Sequence, residues 1–376
     1  MMRIAYLSTD PGIAYGGTKG ASVHVAELTA ALAREGADVL LLVARIEPGA
    51  PDPPPGVTVE PLPGPGNGAS AAERVSAEPD RQAWLEERLA RFAAAALYER
   101  LALHSAAGSA AASRLRIPHL VELNAPLLQE AARYRTLAAP ELANLLERSV
   151  LRGAELVLAV SGPLARYAWA RGARRVAVCP NGVDTGLFAP PASRSSRRPS
   201  AVFTGTLRPW HGIETLADAW RLFGAAAPPL TVVGDGPGRP LLEEVGARVT
   251  GALPHAEVPA VLAGADIGIV PYAADAPPYF SPLKLFEYLA AGLAVVAAAI
   301  PGVTELIDER TAILVPPGDP EALADAVAAL AADPLGRERL GRSGRMLAER
   351  HTWAHRARGL LDEVAPAVAS PVGAEA

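Results

Sequence analysis

A chain of 376 residues, half of them hydrophobic, has enough apolar material for two cores of ordinary domain size, which excludes general disorder. A formal net charge of -5, with the arginines scattered, argues against a dedicated nucleic-acid binder, which would carry a basic domain or stripe. The single cysteine, Cys179, excludes internal disulfides and a cysteine metal cluster, and no apolar run reaches the roughly 18 to 20 residues of a membrane-spanning helix.

The start, MMRIAYLSTDPG, leads directly into a strand at Arg3 to Ser8 without a charged and apolar leader. The cytoplasm is therefore the expected location, with peripheral contact at the inner face of a membrane left open. A helix is expected from Val23 to Arg34, then a second strand from Asp38 to Val43 with VLLLV at its centre. Glu47 to Pro79 is rich in Pro and Gly, with one brief strand at Val57 to Val59. So long a loop inside a compact domain is a functional or disordered segment. Arg81 to Ser105 is Ala-rich and reads as one helix, Ile117 to Leu123 as a strand, Ala139 to Arg152 as a helix, and Leu156 to Val160 and Arg175 to Val178 as strands.

The polar stretch PPASRSSRRP, Pro190 to Pro199, marks a linker. Alternation then restarts with strands at Ser200 to Thr204, Thr231 to Val233, Val249, Asp266 to Val270 and Ala294 to Ala298. The fold class is α/β, with two Rossmann-like doubly wound domains facing each other across a cleft, and ligands are expected outside the carboxyl ends of the strands.

Several clusters fall at such strand ends. Gly16-Gly17-Thr18-Lys19-Gly20-Ala21-Ser22 leads into a helix and either brings bare amides to a phosphate or sugar, with Lys19 and His24 as subsidiary groups, or is a mobile surface loop. Glu122 and Asn124 end the Ile117 strand, where they would orient acceptor hydroxyls, while His119 earlier in that strand reads as a satisfied core histidine. Pro180-Asn181-Gly182-Val183-Asp184 is a turn by composition. In Gly205-Thr206-Leu207-Arg208-Pro209-Trp210-His211-Gly212, Arg208 offers a fork of donors to a diphosphate and a protonated His211 another donor. Gly234-Asp235-Gly236-Pro237-Gly238 lacks the spacing of a dinucleotide fingerprint, since Arg239 stands where its third glycine belongs, and reads as a tight turn near a nucleotide.

Tyr279 to Ala297, YFSPLKLFEYLAAGLAVVA, places Glu287 inside an otherwise apolar helix. Ser281 is expected to cap that helix with Pro282 at its first position, and Gly292 to close it. Lys284 and Glu287 share one face. Either they form an internal ion pair, or the helix start and Lys284 take an anion while Glu287 takes hydroxyls.

Taken in order, PNGVD, GTLRPWHG, GDGP, SPLKLFEYLAAG and PPGDPEALADA resemble the retaining glycosyltransferases of family four, the group with the two-Rossmann GT-B architecture. The resemblance covers nearly the whole chain and is strongest from Pro180 onwards. It implies an acceptor domain over residues 1-190, a nucleotide-sugar domain over 191-350, and a segment from 351 to 376 that crosses back near His351-Thr352-Trp353. It implies transfer from a nucleoside-diphosphate sugar to a hydroxyl of a glycan, lipid-linked or small-molecule acceptor, with no metal or other cofactor and no nucleic acid. Glu287 would then bind the ribose. Arg208, Lys284 and the amides of Ser281, Pro282 and Leu283 would hold the diphosphate, aided by the Gly205, Thr206, His211, Gly234 and Gly236 turns. The Gly16-Gly17 loop would close over the donor.

Departures from the family pattern are Tyr279 where the first of two Glu is usual, Thr206 and His211 where Arg and Lys are usual, and Asn124 where a His is common. Two other functions share these features: a nucleotide-sugar epimerase of the same fold, and a non-catalytic nucleotide-sugar-binding protein.

Overall fold

The computed structural model describes residues 1–66, 68–134, 137–192 and 198–369. The chain forms two compact units: residues 1–17, 21–180 and 353 onwards in the first, and 18–20 with 181–352 in the second. The division falls between Pro180 and Asn181, ahead of the polar Pro190 to Pro199 stretch, of which 193–197 lie outside the described residues. The chain passes back into the first unit at Trp353.

The first unit is a seven-stranded parallel sheet of β1 (Arg3–Ser8), β2 (Asp38–Val43), β3 (Val57–Pro61), β4 (Ala96–Arg100), β5 (His119–Leu123), β6 (Leu156–Ala159) and β7 (Val176–Val178), in the order β3-β2-β1-β4-β5-β6-β7. Its central strands are continuous apolar runs because helices cover both faces. On one face Leu85 and Leu89 of the Glu78–Phe92 helix and Ala107, Ala111 and Ala112 of the Ala107–Leu115 helix pack on Ala5, Leu7, Leu40, Leu42 and Leu97.

The single helix expected from Arg81 to Ser105 is not formed. The Glu78–Phe92 helix stops at Ala93 (φ 51°), and β4 inserts between β1 and β5, with Ala96 to Tyr98 almost fully buried. Alanine's helix preference loses there to the burial available at the centre of a sheet.

The second unit is a six-stranded parallel sheet of β8 (Ala201–Thr204), β9 (Leu230–Val233), β10 (Arg248–Val249), β11 (Ile267–Val270), β12 (Ala294–Ala298) and β13 (Ile313–Val315), ordered β10-β9-β8-β11-β12-β13. The Leu283–Ala290 helix packs Leu285, Phe286 and Leu289 over β12, and the Ile213–Phe223 helix packs Leu216, Ala217 and Trp220 on the other face. In both sheets the strand order reverses beside the first strand, between β1 and β4 and between β8 and β11, which is where doubly wound sheets open a crevice at their carboxyl ends. Among the described residues no helix is long and apolar enough to cross a membrane.

Candidate functional site

In the second unit the loops after β8, β9 and β11 and the start of the Leu283–Ala290 helix converge. That helix begins at Leu283 with Pro282 as its extended N-cap, and no side chain caps it. Ser281, expected to cap, instead accepts from the backbone N–H of Asn181 at 3.1 Å, while the Asn181 side chain donates to the Ser281 carbonyl. The Asn181 turn, which composition showed only as a turn, is thus a clasp that fixes the helix start. The first amides of the helix are left for another partner.

Lys284 and Glu287 do not form the internal ion pair. Glu287 is buried and its Oε1 lies 3.0 Å from Nε2 of His255, whose ring packs 5.3 Å from that of Phe188. Lys284 Nζ sits 3.9 Å from the centre of the Phe203 ring, with no carboxylate in ion-pair range among the described residues. Burial pushes the Lys284 ammonium down from 10.5 to about 7, with Glu287 pulling upward. A cation held this way is stabilised only by a ring face and a carboxylate that is already engaged.

The glycines after β8 and β9 make this geometry possible. Gly205 (φ 136°) has Lys284 Nζ where a Cβ would stand, 2.8 Å away, and Gly234 (φ 145°) would put a Cβ 1.9 Å from the Gly205 carbonyl. Gly236 follows the same turn, but its N–H is taken by Asp235 Oδ1 at 2.7 Å. Arg208 is exposed, its guanidinium 5.8 Å from the Trp210 ring centre, and no carboxylate holds it among the described residues.

His211 corrects an expectation. Its Nδ1 is 2.6 Å from the Thr206 carbonyl, an acceptor, so Nδ1 carries the proton and Nε2 presents a lone pair. Burial, and then Lys284, push the imidazole down from 6.5 to about 3. His211 is therefore neutral and cannot serve as the charged donor first assigned to it. Tyr272 and Phe280 flank it at 6.1 and 6.3 Å, and Tyr279, buried beside Phe280, extends this aromatic wall.

In the first unit Glu122, expected to orient hydroxyls, is fully buried and its oxygens are occupied. Oε2 accepts from Tyr6 at 2.9 Å. Oε1 faces His24 Nε2 at 2.5 Å, Asn124 Nδ2 at 2.8 Å, Arg356 Nη2 at 3.2 Å and Arg100 Nη1 at 3.4 Å. Burial works against the carboxylate, but His24, Arg356 and Arg100 outweigh it and hold Glu122 well below the usual range. Burial lowers His24 despite Glu122 beside it, so the imidazole is the neutral donor of the pair. Only Asn124 of the two predicted residues retains partial exposure. His119 is bound to Glu99 at 2.8 Å inside the sheet. The Gly16-Gly17 turn is tied down, since Tyr15 donates to the Arg45 carbonyl and accepts from the Glu47 amide, and Gly16 rests on Ala50.

Residues 18–187 match the family described as Glycosyltransferase Family 4, and residues 198–333 match the one described as Glycosyl transferases group 1. The chain belongs to the family 4 glycosyltransferases. It is 27% identical to a D-inositol 3-phosphate glycosyltransferase of Xylanimonas cellulosilytica over 97% of each chain. Its fold is that of GT-B proteins. It superposes at TM-score 0.79 on a sucrose-phosphate synthase of Thermosynechococcus elongatus (22% identity, 99% and 100% of the two chains) and at 0.73 on Anabaena HepE in complex with UDP-glucose (18% identity, 97% and 100%).

Two groups of this glycosyltransferase escaped the motif reading. His255 lies in a Leu253-Pro254-His255 turn with no pattern of its own, and Arg356 contacts Glu122 across 234 positions of sequence. In this glycosyltransferase Gly205→Ala is expected to cost about 1 to 3 kcal/mol of stability through its strained φ. It should also displace Lys284, so that any nucleotide the ammonium holds binds at least about tenfold more weakly. Melting curves and a nucleotide titration of the one variant check both.

Proposed function

We propose that this glycosyltransferase moves a sugar from a nucleoside diphosphate to an acceptor hydroxyl, with retention at the anomeric carbon and without a metal ion. The observation that carries the reading is Lys284, a buried ammonium with no anion in ion-pair range, beside an uncapped helix start. A diphosphate supplies the missing charge. Anabaena HepE, which shares the fold, is seen with UDP-glucose, which supports a donor of this class.

In the reaction the bond from the anomeric carbon to the diphosphate oxygen breaks and its electron pair leaves with the nucleotide. The acceptor oxygen forms the new bond on the same face, and its proton passes to the departing diphosphate. Lys284 and Arg208 meet the charge that grows on that leaving group, together with the amides of Leu283 and Lys284, on the Ser281-Pro282 turn. The Gly205-Thr206 and Gly234-Gly236 turns leave room for the diphosphate, and the Gly16-Gly17 turn is assigned to the donor by family resemblance alone. Glu287, oriented by His255, accepts the ribose hydroxyls. His211 Nε2 accepts from a sugar hydroxyl. Asn124 takes the acceptor, and Glu122 positions Asn124.

The test is a thermal-shift series with UDP, GDP, ADP and dTDP, followed by assays of the matching sugar donors for nucleotide release in EDTA. One nucleotide should stabilise the protein by about 2.7 kcal/mol at 100 times its dissociation constant. Arg208→Ala should reduce release on the order of 100-fold. Flat responses to all four nucleotides would overturn the donor assignment, and release that needs added metal would overturn the metal-independent one.

A further inference from the structure

Within the second unit, aromatic rings wall one side of the space beside Lys284. Trp210 and His211 stand in the turn after β8, Tyr272 follows β11, and Tyr279 and Phe280 precede the Leu283–Ala290 helix. Ring centres lie 6.2 Å apart for Trp210 and His211, 6.1 Å for His211 and Tyr272, 5.1 Å for Tyr272 and Phe280, and 5.4 Å for Phe280 and Tyr279, so the rings form one continuous surface. Close backbone approaches at glycines hold it in place. A Cβ on Gly212 would fall 1.5 Å from the Pro271 carbonyl oxygen, and one on Gly302 2.2 Å from that of Phe280, while the Gly318 N–H donates to the Tyr272 carbonyl at 3.0 Å. The loops are locked through their backbones, and the wall is preformed.

Two polar groups of the wall are open to a ligand among the described residues. His211 is neutral, pushed down by burial and then by the nearby Lys284 charge, and with its Nδ1–H on the Thr206 carbonyl it offers one lone pair at Nε2. The Tyr272 hydroxyl makes no hydrogen bond among the described residues. The carboxylates of these loops are committed elsewhere. Glu287 faces His255, Asp235 holds the Gly236 amide and Arg239, and Asp319 caps the Pro320–Ala332 helix. Asp275, the acid between Tyr272 and Tyr279, is exposed and already engaged. Phe280, Trp210, Ala273 and Ala276 are half-buried, so what the wall leaves accessible is mainly apolar.

We infer that the transferred sugar is a 6-deoxyhexose, a hexose whose C5 carries a methyl group in place of a hydroxymethyl, and that Phe280 with its neighbouring rings selects it. The inference rests on the reading that a nucleoside diphosphate lies at Lys284, because a sugar attached there must lie against the groups around that ammonium. A hydroxymethyl needs a hydrogen-bond partner once it leaves water, and this wall has only His211 Nε2 and the Tyr272 hydroxyl for the whole sugar. In a 6-deoxyhexose the methyl extends the C–H edge of the ring into one apolar strip. Ring faces accept that strip without leaving a donor or acceptor unpaired.

The test is an isothermal titration of the full chain with nucleotide sugars in matched pairs. UDP-glucose, ADP-glucose, dTDP-glucose, GDP-mannose and GDP-L-galactose are each set against their 6-deoxy counterparts, with the free nucleoside diphosphates beside them. For the nucleotide that binds, the 6-deoxy sugar should bind about 10- to 100-fold more tightly than its hydroxymethyl partner, the worth of one such group at an apolar wall. Phe280→Ala should remove most of that preference, and Phe280→Gln, which offers the hydroxymethyl a partner, should reverse it. Affinities are compared within each variant, so a general loss of binding cancels, and melting curves report folding. Equal affinities in every pair, tighter binding of a hydroxymethyl sugar by wild type, or an undiminished preference in Phe280→Ala would each overturn the inference. A nucleoside diphosphate that binds while its sugars show no preference defeats this inference alone. Absence of binding by every nucleotide defeats the donor reading and this inference with it.

Discussion

Lys284→Met should reduce sugar transfer by about 100- to 1,000-fold while leaving the protein as stable as wild type or more so. The two halves of that expectation have one cause. In the free protein the ammonium is buried with a ring face for company, and burial drives it down to about 7. The unfolded chain keeps this proton up to about pH 10.4. Below pH 7 both states are protonated and the folded state bears the whole desolvation cost. Between pH 7 and about 10 the unfolded state binds more protons, so the stability of the free protein should rise with pH across that window, and Lys284→Met should abolish the rise. A bound diphosphate reverses the balance, because its charge favours the protonated amine. Nucleotide binding at pH 8 should therefore take up close to one proton, measurable by calorimetry in buffers of different ionisation enthalpy, and its affinity should fall as pH rises above about 7. Proton uptake that persists in Lys284→Met would remove the lysine from the diphosphate site. Lys284→Arg should not rescue transfer, since a planar fork cannot take the place of a compact ammonium seated between Gly205 and the Phe203 ring.

Which parts of this were legible in the sequence follows from how far apart the interacting residues lie. Strands β1, β2 and β12 could be placed because an apolar run between turn residues is a local signal, and both sheets could be read as parallel from alternation alone. Strand β4 could not, since the alanines that enter it are also good helix formers and only the slot between β1 and β5 decides their state. The left-handed turn before it sits on Ala93, without a glycine to announce it. At the proposed donor site the spacing of Lys284 and Glu287 correctly put both on one helix, yet said nothing about Phe203 and His255, which lie 81 and 32 positions earlier and draw the two charges apart. His211 was misjudged for a similar reason: its protonation is set by the Thr206 carbonyl, burial and Lys284 together. Glu122 was recognised as a residue at a strand end, but a strand end in this unit is also where the C-terminal helix docks.

Glu122→Gln should destabilise the first unit by about 3 to 5 kcal/mol, the largest loss of stability expected from a single conservative change in this chain. Glu122 joins β5 to β1 through Tyr6, to β4 through Arg100, to the first helix through His24, and to the Trp353–Ala369 helix through Arg356. Arg356 in turn donates to the carbonyls of Cys179 (3.0 Å) and Pro180 (2.8 Å), the last residues before the chain leaves the unit, so one buried charge pair ties the exit of the chain to its return. The amide keeps the shape of the carboxylate but leaves the buried Arg356 guanidinium without an anion, and Arg100 beside it without its partner. The wild-type contribution should be complete above the unfolded carboxylate value near 4.5 and should vanish as pH falls towards the depressed folded value, a loss that Glu122→Gln would not show. Removing the pair together separates charge from packing: in Glu122→Leu with Arg356→Leu only Arg100 remains, and it lies close enough to the surface to reach water. The double variant should therefore melt above the sum of its singles by a coupling energy of about 1 to 3 kcal/mol. Strict additivity in urea unfolding would show instead that Glu122 and Arg356 act on the fold independently, and that the C-terminal helix is held by the apolar contacts of Trp353, Leu360 and Val364 alone.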